Sequence, residues 1–330
     1  MKKKMVLVTG ANGFLANNLI RLLLESNYSV RGVVRSTSNT DILKDLPIEL
    51  IRAELSDSET LMEAMNGCDA VVHLAALTAQ NAKPDDYMQI NYLVTKTLVM
   101  AAKKMNIRRF IYVSTANAFG NGSLSDPGHE GIPFMTWLHD SGYAYSKYRA
   151  QQFVLDEVKK TNFPAIVVNP TFMLGPHDPG SSSGKIIKMG YRKRIRLCPP
   201  GGKNLVSVQD AARGIVSAIE STVRGNAYIL AGENLSYTGF FNELDKVTGS
   251  RGINIVIPRW FLITAGWISE RIQKLTGRHY AFNQVNARIL CEHNYYTARK
   301  AIEELKLPQT PIYTFLKEAV EDFECRLSGS

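Results

Sequence analysis

Short apolar runs alternate with amphipathic helical patterns through the first half of the chain, and this alternation restricts the fold more than any other feature. Residues 5–9, 28–34, 48–52, 70–74, 110–113 and 165–169 read as strands. Residues 12–24, 58–65, 85–104 and 143–160 read as helices between them. Strand, helix and strand in repeated succession build crossover units, whose strands run parallel and are covered on both faces. The expected class is therefore α/β, with a doubly wound parallel sheet.

The rhythm breaks after Pro170. Gly175-Pro176, Pro179-Gly180 and Pro199-Pro200-Gly201-Gly202 mark loops, and helical patterns follow at 240–247, 259–275 and 296–305. Residues 225–230 read as one more strand. These features divide the chain into an α/β domain over 1–170, with a return strand near 205–231, and a smaller, mainly helical lobe over 171–204 and 232–330.

The first strand ends in Thr9-Gly10-Ala11-Asn12-Gly13-Phe14-Leu15-Ala16 and opens into a helix. A glycine-rich turn at that junction suits a pyrophosphate: Gly10 permits the tight turn, and Gly13 lets the backbone come close to the phosphates at the helix N-terminus. Ala16 stands where a third glycine is usual, and one methyl at a helix–strand packing point costs little. The second strand ends in Val33-Val34-Arg35-Ser36-Thr37-Ser38 with no acidic residue. An acid there would hold the ribose hydroxyls of NAD, whereas Arg35 and small hydroxyls suit a 2′-phosphate. NADP (NADPH) is accordingly favoured over NAD.

Tyr143 and Lys147 are four residues apart at the start of a helix, so both project from one side. A free phenol holds its proton too tightly to shuttle it at neutral pH, and a nearby ammonium favours the phenolate. Tyr145 and Tyr148 have Arg149 and Gln152 at the same spacing, so Tyr143 is the tyrosine with a lysine partner. The strand 110–113 ends in Ser114-Thr115, two hydroxyls at the carboxyl end of the sheet, where ligands gather. One of them can donate to a carbonyl oxygen as charge develops.

Together these motifs resemble the extended short-chain dehydrogenase/reductase family, over nearly the whole chain. Asp69-Ala-Val-Val-His73-Leu74-Ala75-Ala76 is similar to the family motif that lines the cofactor cleft, and Asn91 with Thr95 resembles the asparagine of its fourth helix. Asn169-Pro170-Thr171-Phe172 is similar to the segment that closes over the nicotinamide, and Val206–Ala212 and Ala298–Leu305 look like later landmarks. The resemblance implies a Rossmann-type sheet and catalytic residues Thr115, Tyr143 and Lys147, with Ser114 as the alternative hydroxyl. It implies cofactor contacts from Gly10, Asn12, Gly13, Phe14, Leu15, Arg35, Glu54, Leu55, Leu74, Ala75, Ala76, Tyr143, Lys147, Pro170, Thr171 and Phe172.

The likeness is to dihydroflavonol-4-reductase-like and 3β-hydroxysteroid-dehydrogenase-like members. It implies hydride transfer between NADPH and an aldehyde or ketone, or the matching secondary alcohol, with Tyr143 as general acid/base. The alternatives are a nucleotide-sugar epimerase or dehydratase holding NAD(P), and a non-enzymatic NADP-sensing binder. Epimerases commonly carry arginine where Asn169 stands, and binders usually lose the tyrosine–lysine pair. The helices at 85–104 and 143–160 resemble those that pair in family dimers, which implies a homodimer.

Two segments bear on the substrate. The loop 117–142 carries Phe119, His129, Phe134, Met135, Trp137 and His139, which either shape an apolar pocket or anchor the loop itself. Against an apolar substrate stand Arg192, Lys193, Arg194 and Arg196, which could reach an anionic substrate from the small lobe. The helix at 259–275, with Trp260, Phe261 and Trp267, reads as packing on the sheet lobe in preference to lying on a membrane.

Composition excludes several other classes. The chain has 330 residues, 45% hydrophobic and 21% charged, which suits a globular protein with a sizeable core. No apolar run reaches transmembrane length, and Met1-Lys2-Lys3-Lys4 enters a strand-like segment without the pattern of a signal peptide. The expectation is a cytoplasmic protein with no stable membrane insertion and a small-molecule substrate. Cys68, Cys198, Cys291 and Cys325 are scattered and the histidines, His73 and His177 among them, lack ligand spacing, so no metal is expected. The net charge of +9 comes without any nucleic-acid module pattern, so nucleic acid is not an expected partner.

Overall fold

The computed structural model describes residues 3–79, 81–180, 182–276 and 280–328. Met1 and Lys2 of the N-terminal basic run, and His279, lie outside the described residues. The strands are β1 (Met5–Thr9), β2 (Ser29–Val34), β3 (Glu49–Arg52), β4 (Ala70–His73), β5 (Arg109–Val113), β6 (Ala165–Pro170), β7 (Phe172–Leu174), β8 (Ile195–Cys198), β9 (Gly202–Ser207), β10 (Ala227–Leu230), β11 (Glu233–Ser236), β12 (Ile253–Val256) and β13 (His293–Asn294).

Seven of them form one parallel sheet in the order β10-β6-β5-β4-β1-β2-β3. Residues on both faces of β1, β4, β5 and β6 are buried, which is why these strands read as nearly unbroken apolar runs. The helix Phe14–Glu25 packs against Val208–Glu220, and Ser58–Met65 packs against Val94–Lys104. The crossovers run one way from β1 to β3 and the other way from β4 onward. The order reverses between β1 and β4, and a crevice opens there at the carboxyl ends of the strands.

A second apolar cluster gathers Leu174, Ile187, Phe240, Phe241, Phe315 and Phe323. It surrounds a four-stranded sheet in which β9 pairs with β7, β11 and β13. The chain enters this sheet directly from β6, so β7 links the nucleotide crevice to the second cluster. The return strand expected near 225–230 is β10, paired with β6. The strands β7, β8, β9, β11, β12 and β13 are too short to carry a legible period.

Three expectations need correction. The long helical pattern at 85–104 contains a π-helical segment, Met88–Leu93, between Pro84–Tyr87 and Val94–Lys104. The pattern at 296–305 becomes helical only at Arg299–Leu305, because Tyr295 and Tyr296 are buried and the Tyr296 amide donates to the Asn234 side chain. Arg196 does not face an anionic substrate. It is buried, ion-paired with Asp245, and donates to the Phe241 carbonyl.

The Arg196–Asp245 pair holds β8 and β12 onto the helix Tyr237–Thr248. Breaking a buried pair leaves an uncompensated charge, which costs about 3–5 kcal/mol. Asp245→Ala should lower the unfolding free energy by that order in denaturant titrations. Asp245→Leu combined with Arg196→Met should recover most of it, since neither partner then remains charged. Equal stability of Asp245→Ala and the wild type would contradict the assignment.

Candidate active site

Gly10 sits at the crevice with φ +66°, a left-handed conformation that favours glycine. Its amide donates to the Val33 carbonyl at 2.8 Å. A Cβ on Gly10 would lie 2.9 Å from the Ala75 Cα, so β1 and β4 approach as closely as they do only with glycine there. Gly13 precedes the helix Phe14–Glu25, and no side chain caps that helix. The first-turn amides of Phe14 and Leu15 are thus left for an anion, and the helix dipole favours one. Asn12 donates to the Asn39 carbonyl, and Ala16 is buried in the packing as the alanine reading requires. This cradle fits a dinucleotide pyrophosphate.

Arg35 is exposed just beyond β2. A second guanidinium, missed in the sequence, organises the loop that follows it. Arg52 at the end of β3 donates to the carbonyls of Ser36 (2.8 Å) and Ser38 (3.1 Å), and to the Thr40 hydroxyl. Ser36 donates to Glu54 at 3.4 Å, while Leu55 packs against the core. Arg52 lies level with Val34 in the β2–β3 register. That register was the only signal available for it.

Helix Gly142–Thr161 carries Tyr143 in its first turn, capped by Ser141, whose hydroxyl accepts from the Ala144 amide. Burial pushes the phenol pKa up and Thr115 pulls against it, so the phenol keeps its proton at neutral pH. Thr115 Oγ1 also accepts from the Asn117 amide, while Ser114 Oγ is buried with no partner among the described residues. Of the two hydroxyls, Thr115 is the one that bears on the Tyr143 phenol pKa. Tyr145 is engaged by Arg149 at 2.9 Å.

Lys147 is buried one turn on, its Nζ donating to the Val113 carbonyl at 2.6 Å and lying 4.4 Å from the Tyr112 ring centre. Burial pulls its pKa down to about 7. Gln151 continues the same helical side at spacing four and was missed. Its Oε1 accepts from Asn169, which in turn donates to the Thr115 carbonyl at 2.9 Å. Asn169 is fully buried. It supports the Thr115 backbone and does not face a substrate, so its contrast with the arginine of epimerases says nothing about phosphate binding here.

Buried hydrogen bonds connect this helix to the nucleotide turn. The Ala75 amide donates to Thr9 Oγ1, which is 2.8 Å from His73 Nδ1. His73 Nε2 is 3.0 Å from Thr95 Oγ1, whose proton goes to the Asn91 carbonyl. Thr95 therefore accepts from Nε2–H, and Thr9 donates to Nδ1. Burial, and then the Lys147 charge, hold the His73 pKa down near about 3, so the ring stays neutral. The Asn91 amide binds both backbone groups of Leu77 and donates to Ser146, which donates to the Tyr143 carbonyl. The π-helical turn places Asn91 in this line.

Leu74, Ala75 and Ala76 follow β4 across from the Gly10 turn, and Pro170 ends β6. Thr171 is engaged with Asn204 at 2.7 Å, and Phe172 opens β7 beneath Lys203, whose pKa burial pulls down to about 8. A cleft beside Tyr143 is lined by Tyr87, Asp140, Gln273, Asn283, Val285 and Asn286, among others. Gly142 admits Tyr87 here, since a Cβ would meet that ring at 2.5 Å.

The aromatic side chains of the loop 117–142 do not line this cleft. Phe134 stacks on Tyr148 at 4.3 Å and His139 on Tyr145 at 4.8 Å, Phe119 is in the core, and Trp137 lies 4.2 Å from the Arg288 guanidinium. His129 is exposed and accepts from the Gly131 amide. Of the two readings of this loop, anchoring accounts for these side chains.

The model of the NAD dependent epimerase/dehydratase family matches residues 6–231. A candidate dihydroflavonol 4-reductase of Synechocystis sp. is 32% identical over 326 residues, 96% of this chain and 94% of that protein. A 4-hydroxy-2-methyl-3-oxo-4-farnesyl-3,4-dihydroquinoline-1-oxide ketoreductase of Stigmatella aurantiaca is 33% identical over 226 residues, 68% of this chain and 66% of that protein. The solved structure of gox2253 superimposes with a TM-score of 0.85 at 28% identity, covering 98% of this chain and 99% of that one.

The depressed Lys147 pKa makes a stability statement. The folded value of about 7 lies below the ordinary 10.5, so between those values the unfolded chain binds more protons and stability rises with pH. The penalty of the buried ammonium is present in full below about pH 7. In the nucleotide-free protein, Lys147→Met should be more stable than the wild type below that pH. The difference should shrink as pH rises toward the ordinary lysine range. Thermal denaturation across pH tests this, and parallel profiles for the two proteins would contradict it.

Proposed function

Because this chain belongs to the NAD-dependent epimerase/dehydratase family, enzymes of the extended short-chain dehydrogenase/reductase kind, we propose that it interconverts an apolar aldehyde or ketone and its alcohol with NADPH. The observation that carries the reading is the helix Gly142–Thr161, which sets Tyr143 on the cleft one turn before a buried Lys147 anchored at the carboxyl end of β5. A bound reduced nicotinamide would supply the hydride. Gly10, Gly13 and the first-turn amides would hold the pyrophosphate, and Lys147 would hold the nicotinamide ribose. Tyr143 gives its proton to the carbonyl oxygen as negative charge grows there, and Thr115 donates a second hydrogen bond to the same atom. Lys147 favours the phenolate that Tyr143 becomes. A phenol whose pKa is raised by burial is protonated and ready in the direction of reduction.

The cleft bears on the substrate through its charge, since its lining is largely polar. Neither lysine nor arginine lines it among the described residues, and Asp140 does. A diphosphate calls for several charge-assisted bonds, whereas an apolar substrate gains roughly 25 cal/mol per Å² buried. The Stigmatella aurantiaca relative, a ketoreductase named for a farnesyl-bearing ketone, supports the same class.

The preference for NADPH rests on Arg35 at the end of β2, in a loop shaped by Arg52. Arg35→Ala should weaken NADPH by about 1.5–3 kcal/mol, roughly ten- to a hundredfold, and leave NADH unchanged. Fluorescence titration of both nucleotides decides this. Equal affinity of the wild-type protein for the two would contradict the assignment.

Tyr143→Phe should cut turnover by roughly 10²–10⁴-fold while NADPH still binds. The assay follows NADPH absorbance with a panel of aromatic and aliphatic carbonyls, beside a panel of nucleotide sugars. Interconversion of a nucleotide sugar without net nucleotide consumption would place the protein with the epimerases instead. A Tyr143→Phe variant that keeps most of its activity would remove Tyr143 from the mechanism.

A further inference from the structure

The helix Arg259–Thr276 buries only Leu262 and Gly266 within its length. The expectation that it packs its aromatic residues on the sheet lobe is therefore wrong. Its inner side meets the helix Gln284–Cys291, where a Cβ on Gly266 would lie 2.7 Å from the Ala287 Cβ. Ser269 and Gln273 on that side donate to the Phe282 carbonyl. Trp260, Phe261, Trp267, Ile268, Ile272 and Leu275 occupy the opposite side, each between 44% and 87% exposed. At 100° per residue these six fall within a single stripe.

The strand β12, which precedes this helix in sequence, and its partner β8 do the same. β8 and β12 pair in parallel with Ile195 beside Ile253 and Leu197 beside Ile255. Alternation along the strands turns Arg196 and Cys198 inward, where they are buried, and leaves these four aliphatic side chains 47% to 66% exposed. Exposed apolar side chains gathered in this number on regular elements mark an interaction site.

The charge around it selects the occupant. Arg192, Lys193 and Arg194 lead into Ile195, and Arg251 leads into Ile253, so both strands begin at one basic end. Lys193, Arg194 and Arg251 are exposed and make no ion pair among the described residues. Along 249–276 the charged side chains are Arg251, Arg259, Arg271 and Lys274 against Glu270, with Arg259 paired to Glu292 and Lys274 to Glu270. Arg271 lies 5.0 Å from the Trp267 ring, a cation beside an indole as at a membrane interface. A second copy of the chain would bring one basic rim against another. No helix among the described residues is long and apolar enough to cross a membrane, so the contact is superficial.

We propose that the face formed by β8, β12 and the helix Arg259–Thr276 docks on a bilayer surface carrying anionic headgroups, with the indoles and aliphatic side chains entering the headgroup–acyl boundary. This goes beyond the carbonyl chemistry and does not depend on it. One consequence does rest on that reading. Gln273 on the inner side of the same helix lines the Tyr143 cleft, so docking would set the cleft beside a reservoir of apolar substrate.

Two of the three tryptophans, Trp260 and Trp267, lie on this face, so intrinsic fluorescence reports on it directly. The full chain is mixed, without substrate, with vesicles of phosphatidylcholine alone or of phosphatidylcholine with phosphatidylglycerol. Binding is read by co-sedimentation and by the emission maximum. The expected result is co-sedimentation and a blue shift with the anionic vesicles, weakened by salt. Replacing Lys193, Arg194 and Arg251 together by serine should weaken binding about a hundredfold. Phe261→Asp with Ile268→Asp should abolish it, while NADPH titration confirms that the variants are folded. Absence of co-sedimentation, or equal binding to neutral vesicles, would overturn the proposal. So would a blue shift that appears without lipid as protein concentration rises, with a dimer mass in sedimentation. Because no turnover is measured, failure here leaves the carbonyl reading intact, and failure of the carbonyl assay leaves this result intact.

Discussion

A line of buried hydrogen bonds joins the turn that fits a pyrophosphate to the helix that carries the phenol. It begins at the Ala75 amide, passes through Thr9, His73 and Thr95 to the Asn91 backbone, and resumes from the Asn91 side chain through Ser146 to the Tyr143 carbonyl. The direction of each bond is set by its neighbours, because Thr95 has one proton and gives it to a carbonyl. In a low-dielectric interior such a chain is worth keeping whole, since any orphaned member would carry the full cost of desolvation. A neutral His73 is the condition for it, and burial supplies that condition. The two halves of the candidate site are thus held in mutual register by the interior of the sheet.

The remaining support comes from the other end of the same helix. Lys147, Gln151 and Asn169 form a buried row beneath Thr115, and Asn169 fixes the Thr115 backbone from below. Three polar atoms at this level, Ser114 Oγ, Gln151 Nε2 and Asn169 Oδ1, have no protein partner among the described residues. The Thr115 backbone is therefore positioned by Gln151 and Asn169, neither of which lines the cleft. This is the usual requirement for groups that must meet a reacting atom within a few tenths of an ångström.

Much of this was legible in the sequence. The seven-stranded sheet follows from the alternation of apolar runs with helical periods, and the Gly10 turn from its position between a strand and a helix. Tyr143 and Lys147 stood out by spacing. What stayed hidden has a physical cause in each case. Arg52 and Gln151 act through strand register and helix phase, which become informative only once the neighbours are known. Arg196 lies in a basic run, and only the partner Asp245, distant in sequence, shows that it is buried. The aromatic residues of 117–142 look alike as substrate lining or as loop anchors until their ring partners on the helix Gly142–Thr161 are seen. The helix Arg259–Thr276 has an ordinary amphipathic period, which identifies an apolar stripe but not which side finds a neighbour.

The central claim is that one dinucleotide spans the Gly10 turn and the Tyr143 helix. A crystal structure with NADP⁺ tests it directly. The account requires the pyrophosphate at the amides that follow Gly10, the 2′-phosphate at Arg35, and the nicotinamide ribose at Lys147 Nζ, drawn away from the Val113 carbonyl. A nucleotide bound elsewhere, or one that leaves Lys147 on that carbonyl with Tyr143 remote from the nicotinamide, would contradict it.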